Sequence, residues 1–313
     1  MRVRTGHNAF RRPPPRAVVT IGMFDGVHVA HQQLIRTTVR WAARLRGTSL
    51  AITFDPDPQL VLDPARAQPP LMPLARRLHL MRALGLDLIW VIPFTRTFSA
   101  VTPEQFVQRI LLRRLRAAGV VVGDNFAFGN ARRGTLELLR VMGRACRMRV
   151  VALPAIVRGG AAVSSSRIRR LVGAGDLDAA RRLLGRPVEL SGTVVSGAGR
   201  ARRLGFPTAN VRLTPTVLPP RGVYRVWLEH RGRRIPGVMN LGIRPTFGGG
   251  PLVCEIHLVG FRGNLYGRPV TIACLQWLRA ERRFPSSQAL IQQIQRDLRQ
   301  ARLAPLATLS ALP

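Results

Sequence analysis

The amino-acid sequence predicts a protein of two domains, an α/β domain built on a parallel sheet and then a barrel-like β domain. Short apolar segments alternate with helical patterns in the first half, and short β-like segments separated by turn residues fill the second half. The chain has 313 residues, which is long enough for each domain to bury its own core. We place the first domain at residues 1–185 and the second at residues 186–313, with the boundary near Arg186.

The first half shows the strand and helix alternation of a doubly covered parallel sheet. Strands are predicted at Val18–Ile21, Ser49–Phe54, Leu88–Ile92, Val120–Val122 and Val150–Leu153, and helices at His31–Leu45, Leu74–Leu84, Pro103–Leu115 and Thr135–Arg144. Ligands of such sheets bind at the carboxyl ends of the strands. We therefore expect Gly22–His31, Phe54–Pro58 and Gly123–Gly129, which each follow a strand, at that edge.

The second half changes to short β segments at the spacing of a barrel. Two helices, near Ser166–Val172 and Asp176–Leu184, are followed by predicted strands at Val188–Val195, Val223–Glu229, Ile235–Met239, Leu252–Val259 and Val270–Leu278. A final amphipathic helix is predicted at Ser287–Arg302, because Leu290, Ile294 and Leu298 recur at helical intervals.

Composition excludes some classes of protein and leaves one unusual feature. All 49 cationic residues are arginines, against 15 acidic residues, for a net charge of +34. The arginines are scattered singly and in pairs, which indicates a coding bias, so we expect no nucleic-acid partner beyond non-specific attraction. No apolar run reaches the roughly 18–20 residues of a membrane span. Three widely separated cysteines indicate reduced thiols, and we expect a cytoplasmic protein with no membrane partner.

The string Gly22-Met-Phe-Asp-Gly-Val-His-Val-Ala-His31 predicts a nucleotide-transfer site. A strand that ends at a glycine and leads into a helix presents backbone N–H groups to a polyanion. His28 and His31 can donate hydrogen bonds to phosphate oxygens and stabilise charge that develops on an α-phosphate. By themselves, two histidines at this spacing are more often core or surface residues. The candidate nucleotide-binding residues around them are Gly22, Phe24, Asp25 and Gly26.

The string from Gly197 to Asn210 predicts a second phosphate site. It is not a Walker loop, because Gly-Lys-Ser/Thr is absent. Its glycines and arginine can wrap a polyphosphate: Gly197, Gly199, Arg200, Gly205 and Pro207 are the candidates. Thr208 and Asn210 point the same way if the chain is extended there, and their oxygens are hard ligands suited to Mg²⁺. Without its context, Phe-Pro-Thr-Ala-Asn would equally fit an ordinary turn.

Both strings, in this order, resemble the bacterial bifunctional riboflavin kinase/FAD synthetases, and the first is similar to the His-x-Gly-His signature of nucleotidylyltransferases. Two further segments of the first half, Val121–Gly129 with Arg132 and Val163–Arg169, are similar to segments of the same family. The resemblance implies that Asn125, Phe128 and Arg132 contact flavin and nucleotide. It also implies that Ser164, Ser165, Ser166 and Arg169 clamp phosphates, although alone a Ser-Ser-Ser-Arg run is typical of a helix cap.

The second half resembles riboflavin kinase over nearly its whole length. The matching segments, in order, are Gly222–Tyr224, Gly237–Gly248, Glu255–Leu258, Leu265–Gly267 and Leu278–Phe284. The resemblance implies a six-stranded barrel with a terminal helix behind a Rossmann-like nucleotidyltransferase domain. It also implies that Asn240 and Arg244 bind substrate and that Glu255 is the base that deprotonates the ribityl 5′-hydroxyl. On the residues alone, Glu255 also fits an arginine-paired strand carboxylate.

Two departures from the family pattern leave alternatives open. Ala30 replaces the glycine of His-x-Gly-His, and Asp57 replaces a histidine in Thr53-Phe-Asp-Pro-Asp57-Pro, which puts an anion beside polyphosphate. The favoured function uses riboflavin, FMN and ATP as substrates and Mg²⁺ as cofactor, and makes FMN and then FAD. A kinase with an impaired adenylyltransferase domain is the nearest alternative. A basic nucleic-acid-binding protein is the alternative from another class.

Overall fold

The computed structural model of the chain describes residues 2–7, 9–10, 12–197, 204–230, 232–243 and 252–303. These residues form two compact units. The first comprises residues up to 69 together with 74–165, and the second comprises 70–73 together with the residues from 166 onward. No helix among the described residues is long and apolar enough to cross a membrane.

A six-stranded parallel sheet forms the centre of the first unit, in the order β1-β4-β3-β2-β5-β6. Its strands are β1 (Arg2–Thr5), β2 (Val18–Ile21), β3 (Ser49–Asp55), β4 (Leu88–Pro93), β5 (Gly119–Gly123) and β6 (Arg149–Leu153). Its helices are α1 (Val29–Arg44), α2 (Pro58–Leu62), α3 (Leu74–Ala83), α4 (Arg96–Ser99), α5 (Pro103–Gln105) and α6 (Leu136–Ala145). A small hairpin of β7 (Val157–Arg158) and β8 (Ala161–Ala162) follows.

Strand β2 lies at the centre of the sheet and is buried along its whole length. Val18 packs on one face with Ala42 of α1, whereas Val19 and Ile21 belong to the larger core on the other face, which also contains Leu111. Burial on both faces explains why β2 is apolar throughout rather than alternating. The carboxyl ends of β2, β3 and β5 therefore meet at one edge, as the sequence predicts.

Two elements of this unit differ from the sequence predictions. Strand β1 was not predicted, because its alternating arginines are exposed at the sheet edge, where it pairs with β4. The helix predicted at Pro103–Leu115 is short α5 continued as a π-helix over Phe106–Arg114. The wider π turn is a backbone hydrogen-bond feature that side-chain periodicity does not report.

The second unit is built on a closed antiparallel barrel in the order β10-β13-β12-β11-β14-β9. The strands are β9 (Val188–Val195), β10 (Ala209–Leu213), β11 (Gly222–His230), β12 (Arg233–Ile243), β13 (Leu252–Leu258) and β14 (Pro269–Arg279). Helices α7 (Ser165–Ala174) and α8 (Leu177–Leu184) precede the barrel, and α9 (Ser287–Leu303) ends the described chain. The predicted fold class, a parallel α/β domain followed by a six-stranded barrel with a terminal helix, is confirmed.

Successive side chains of β13 alternate between the buried core of the barrel and its other face. Cys254, Ile256 and Leu258 are buried, whereas Glu255 and His257 lie on the other face and are half-buried. Strand β10 was not predicted as a strand, because only its pairing with β9 and β13 defines its short Ala-Asn-Val-Arg-Leu sequence as one.

The division between the compact units falls between Ser165 and Ser166, whereas the sequence places the domain boundary near Arg186. Helices α7 and α8 lie between these two positions. The boundary near Arg186 therefore stays a prediction about the family's domains.

Candidate active sites

The first candidate site begins where β2 ends. Gly22 donates its N–H to the carbonyl of Ile52 (3.1 Å), which continues the sheet by one hydrogen bond. Phe24 and Val27 then take positive φ angles of 53° and 38°, which bulky and β-branched residues rarely adopt. Both side chains are fully buried, so packing holds the strained loop in place. This loop directs the chain from the sheet into the N-terminus of α1.

His28 and His31 stand together at the start of α1. His28 is the N-cap, and its Nδ1 accepts the N–H of His31 at 3.4 Å. The two rings stack with centroids 3.6 Å apart, and Phe24 contacts the His31 ring edge-on. Since Nδ1 of His28 acts as acceptor, a neutral His28 carries its proton on Nε2 and can donate it to a phosphate oxygen. The predicted pair is thus brought together at a helix N-terminus.

Asp25 and Gly26 form the tight turn before His28 and are buried rather than facing outward. Gly26 adopts φ 81°, a conformation that glycine takes without strain. The hydroxyl of Ser165 donates to the backbone oxygen of Asp25 at 2.8 Å, a hydrogen bond within the first unit. Ser164 is exposed beside it. Ser166 and Arg169 continue α7 in the second unit, and their approach to a phosphate at His28 stays a prediction.

The loop after β5 carries the three residues implied as flavin and nucleotide contacts. Asn125 and Arg132 are exposed, whereas Phe128 is only 7% exposed. The Phe128 ring stacks on Phe126 and packs against Phe106, so it shapes the loop from inside. Of the three, Asn125 and Arg132 are therefore the ones whose side chains are available to a ligand.

Asp57, the most serious departure from the family pattern, is half-buried just after β3. It caps α2, and its Oδ1 accepts the N–H of Gln59 at 2.9 Å. One carboxylate oxygen is therefore occupied by the helix, which satisfies part of its negative charge locally.

The second candidate site is a cavity of about 340 Å³ in the second unit. One wall comes from the outward face of the barrel strands and the loop before β10, and the other comes from the segment after β14 and from α9. The lining residues are Leu204, Phe206, Thr208, Val223, Val238, Asn240, Glu255, His257, Arg279, Glu281, Arg282, Phe284, Leu290, Ile294, Asp297 and Leu298. The apolar side of this list suits a flat organic ring, and the polar side suits a phosphorylated group.

Glu255 lies in the middle of a row of polar side chains across three strands. Asn210 of β10 and Asn240 of β12 are its direct cross-strand partners. Directly opposed residues of antiparallel strands share a face, so the carboxylate lies between two amides. A Cβ on Gly197 would lie 2.1 Å from Asn210 Nδ2, so a larger residue at this position would displace the Asn210 amide. The structure thus brings Gly197, Asn210, Asn240 and Glu255 together.

Several residues of this site were missed as individuals, although the Glu255–Leu258 and Leu278–Phe284 strings contain some of them. His257 Nδ1 lies 2.9 Å from the Pro207 carbonyl oxygen, which holds the loop before β10. Glu281 accepts a hydrogen bond from Asn240 Nδ2 at 3.3 Å. Arg279 binds Asp297 of α9 through Nε and Nη2, the latter at 2.8 Å. A string that resembles a family motif identifies a segment of the site. The contacts between individual side chains depend on the tertiary structure.

Of the other residues predicted for this site, two lie in the loop before β10 and three lie outside the described residues. Gly205 is exposed with φ 85°, and Pro207 is exposed beside Thr208 in the same loop. Gly199, Arg200 and Arg244 lie outside the described residues.

The donor set of the cavity fits a magnesium ion carried with nucleotide phosphates. The Thr208 hydroxyl and the Glu255 carboxylate line the cavity, and Asn210 is the cross-strand partner of Glu255 on β10; all three side chains carry hard oxygen donors. Within the described part of the chain, no group of three or more His, Cys, Asp or Glu side chains could hold a metal by itself. Magnesium keeps several waters and needs only one or two protein ligands beside phosphate, so this sparse set is compatible with it.

Comparison with known families matches both halves of the chain. The model of the FAD synthetase family matches residues 11–167. The model of the riboflavin kinase family matches residues 184–304. The two matches follow each other in the order that the two motifs predict.

Individual relatives match over almost the full length. The chain is 39% identical over 302 residues to a bifunctional riboflavin kinase/FMN adenylyltransferase of Pseudomonas fluorescens, covering 96% of each chain. It is 35% identical over 296 residues to the protein of that description from Escherichia coli K12, covering 94% of this chain and 95% of that one. A solved structure described as a macrolide-efflux protein from Streptococcus pneumoniae has TM-score 0.85 and 28% identity, over 94% of this chain and 96% of that chain.

Proposed function

Because this chain belongs to the family of bifunctional riboflavin kinase/FMN adenylyltransferases, we propose that it phosphorylates riboflavin to FMN and then adenylylates FMN to FAD. ATP is the co-substrate of both reactions. The observation that carries the proposal is the position of Glu255, between two asparagines in a cavity with a broad apolar side. A second centre, the His28–His31 pair at a helix N-terminus, serves the second reaction.

In the kinase reaction, Glu255 is the general base. Its carboxylate takes the proton of the ribityl 5′-hydroxyl while that oxygen attacks the γ-phosphorus of ATP, and the bond to the β,γ-bridging oxygen breaks to release ADP. Asn210 and Asn240 flank Glu255 on the two neighbouring strands. The apolar residues of α9 that line the cavity, Leu290, Ile294 and Leu298, offer a surface for the flavin ring.

In the adenylyltransferase reaction, the protein needs no nucleophile of its own. A phosphate oxygen of FMN attacks the α-phosphorus of ATP, and pyrophosphate leaves with the α,β-bridging oxygen. His28 donates from Nε2, and His31 lies stacked against it, so both stabilise the charge that develops on the α-phosphate. The N-terminus of α1 adds backbone N–H groups that favour the same charge.

Mg²⁺ is the cofactor that we assign to the kinase site. Thr208 and Asn210 would hold it, and bound there it would neutralise charge on the phosphoryl group being transferred.

The three cysteines are free, and two of them are buried, which supports the assignment of the enzyme to a reducing compartment such as the cytoplasm.

The test is a product assay with purified protein, ATP and MgCl₂, in which the flavins are separated by HPLC. Riboflavin is the starting flavin in one arm and FMN in the other, and a matched reaction contains EDTA. We expect FAD from both arms and no product with EDTA. FMN alone from riboflavin, with no FAD in either arm, would show a kinase whose first domain has lost its reaction. No product from either flavin would contradict the proposed function as a whole.

A further inference from the structure

Arg77 of α3 is a buried cation beneath the first candidate site. It is 6% exposed, although arginine is rarely buried unless its charge is paired. Its Nη1 donates to the Met23 carbonyl at 2.8 Å and its Nη2 to the Phe54 carbonyl at 3.1 Å. Met23 follows β2 and Phe54 is the next-to-last residue of β3, so one guanidinium ties together the two strand ends that lead into the site.

Three carboxylates act electrostatically on this guanidinium, and one of them, Asp57, lies three residues after the Phe54 carbonyl that Arg77 binds. Burial lowers the pKa of Arg77 from its ordinary value, while the negative charges of Asp25, Asp55 and Asp57 act in the opposite direction. An arginine stays protonated under these conditions. The Nε of Arg77 has no hydrogen-bond partner among the described residues, so its third donor direction is not used by the protein.

We propose that Arg77 is the positioning residue that lets the adenylyltransferase site work with a carboxylate at position 57. Its buried charge offsets Asp57 where the phosphates of ATP and FMN must approach, and its two donors join the Gly22–His28 loop, at Met23, to β3, at Phe54. The proposal rests on the proposed function of the first domain.

Position 77 suits arginine better than another cation. The guanidinium fork can bond two carbonyls on different strands at once and still present its charge to nearby carboxylates. An ammonium would keep the charge but could not match the fixed fork geometry as well. Arg77→Lys therefore separates the electrostatic role from the bracing of the two strands.

The experiment measures conversion of FMN to FAD by the full-length enzyme, with kcat and the KM for ATP, in single and double variants. We expect Arg77→Met to lower kcat/KM about tenfold or more, mainly through a higher KM for ATP, because Asp57 then repels the phosphates uncompensated. Arg77→Lys should retain more activity than Arg77→Met. Asp57→Asn in the Arg77→Met background should restore most of the loss.

The matched control is Asp63→Asn in the same background. Asp63 is a half-exposed carboxylate at the other end of α2 that pairs with Arg66 and does not act on Arg77, so its neutralisation should restore nothing. Riboflavin kinase activity of each variant should stay at the wild-type level and reports the amount of active protein. Arg77→Gln replaces Arg77→Met as the neutral variant if the latter does not fold, as judged by circular dichroism.

The proposal is overturned if Arg77→Met matches the wild type, or if Asp57→Asn restores no more activity than Asp63→Asn. Equal losses in Arg77→Lys and Arg77→Met without rescue would assign Arg77 a bracing role only. A wild type that makes FMN but no FAD would instead contradict the proposed adenylyltransferase function, and the proposal about Arg77 with it.

Discussion

At the scale of single residues, the kinase site depends on one carboxylate held between two amides. Glu255 is half-buried and pairs across the sheet with Asn210 and Asn240. The carboxylate of a glutamate can accept a proton anywhere on the protein surface, so the side chain alone does not make Glu255 a catalytic base. Its position on the outward face of β13, inside the cavity, does so, because the inward face is filled by Cys254 and Ile256.

Glu255→Gln should remove the kinase reaction and spare the second one. The amide keeps the size and the neighbours of the carboxylate but cannot accept the hydroxyl proton, so kcat for FMN formation should fall about 10²–10⁴-fold. Conversion of FMN to FAD should stay at the wild-type rate. Both rates come from the HPLC assay with riboflavin or FMN as the starting flavin.

The control for this prediction is Glu229→Gln. Glu229 lies on β11, is exposed and does not line the cavity, so both activities should be unchanged. Undiminished FMN formation by Glu255→Gln would contradict the assignment of the base.

At the scale of elements, α9 completes the cavity and one ion pair fastens it to the barrel. Asp297 is 3% exposed and forms an ion pair with Arg279 of β14. It also accepts a hydrogen bond from Gln293 Nε2 at 2.7 Å. The helix was predicted from the spacing of Leu290, Ile294 and Leu298. Its pairing partner was not, because Asp297 and Arg279 are separated by 18 residues in sequence.

Asp297→Asn should loosen α9 and weaken binding of the flavin. Removing one partner of a largely buried ion pair leaves a desolvated guanidinium, so we expect the second unit to lose about 3 kcal/mol of unfolding free energy. The KM for riboflavin should rise as the wall of the cavity moves. Urea unfolding followed by circular dichroism and steady-state kinase kinetics measure the two effects.

Asp178→Asn provides the comparison. Asp178 pairs with Arg181 at 3.2 Å on α8, but the two side chains are 70% and 43% exposed. A solvated pair of this kind contributes about 0.5 kcal/mol or less. Equal destabilisation by both variants would mean that the Arg279–Asp297 pair does not anchor α9.

At the scale of the whole molecule, the three cysteines differ sharply in environment. Cys146 is exposed, whereas Cys254 and Cys274 are buried in the barrel. Burial raises the pKa of Cys254 to about 12 and raises that of Cys274 as well, with smaller contributions from neighbouring acidic groups. The reactive form of cysteine is the thiolate, so only Cys146 should react in the native protein.

Titration with Ellman's reagent at pH 8 should therefore count one thiol in the native enzyme and three after denaturation. Raising the pH to about 9.5 should not add a second reactive thiol, since burial keeps the thiols of Cys254 and Cys274 protonated. Two or three fast native thiols would contradict the buried placement.

The two buried thiols, Cys254 and Cys274, make the stability of the folded protein decrease at alkaline pH. Above about pH 8.5 the unfolded chain loses its thiol protons, while folded Cys254 and Cys274 keep theirs. The unfolded state then binds fewer protons than the folded state, so stability falls as the pH rises. The stability that these two buried thiols contribute is fully present below that pH.

The sequence alone determined the order of the two domains, most of the strands and helices, the family, and the strings that surround each site. It could do so because apolar periodicity and glycine-rich phosphate motifs are local properties of the chain. It could not reveal β10 or the π-helix, since pairing and hydrogen-bond pattern define those elements.

Only the tertiary structure decided which atoms meet. Glu255 and Asn210 lie 45 positions apart in sequence and become neighbours through strand register. Arg77 showed no local motif, and its role emerges only because folding buries it against the ends of β2 and β3. Asp57 looked like a defect in the sequence, and in the structure it is a helix cap within the field of a buried cation. Contacts and burial depend on the packing of distant segments, and no short stretch of sequence contains that information.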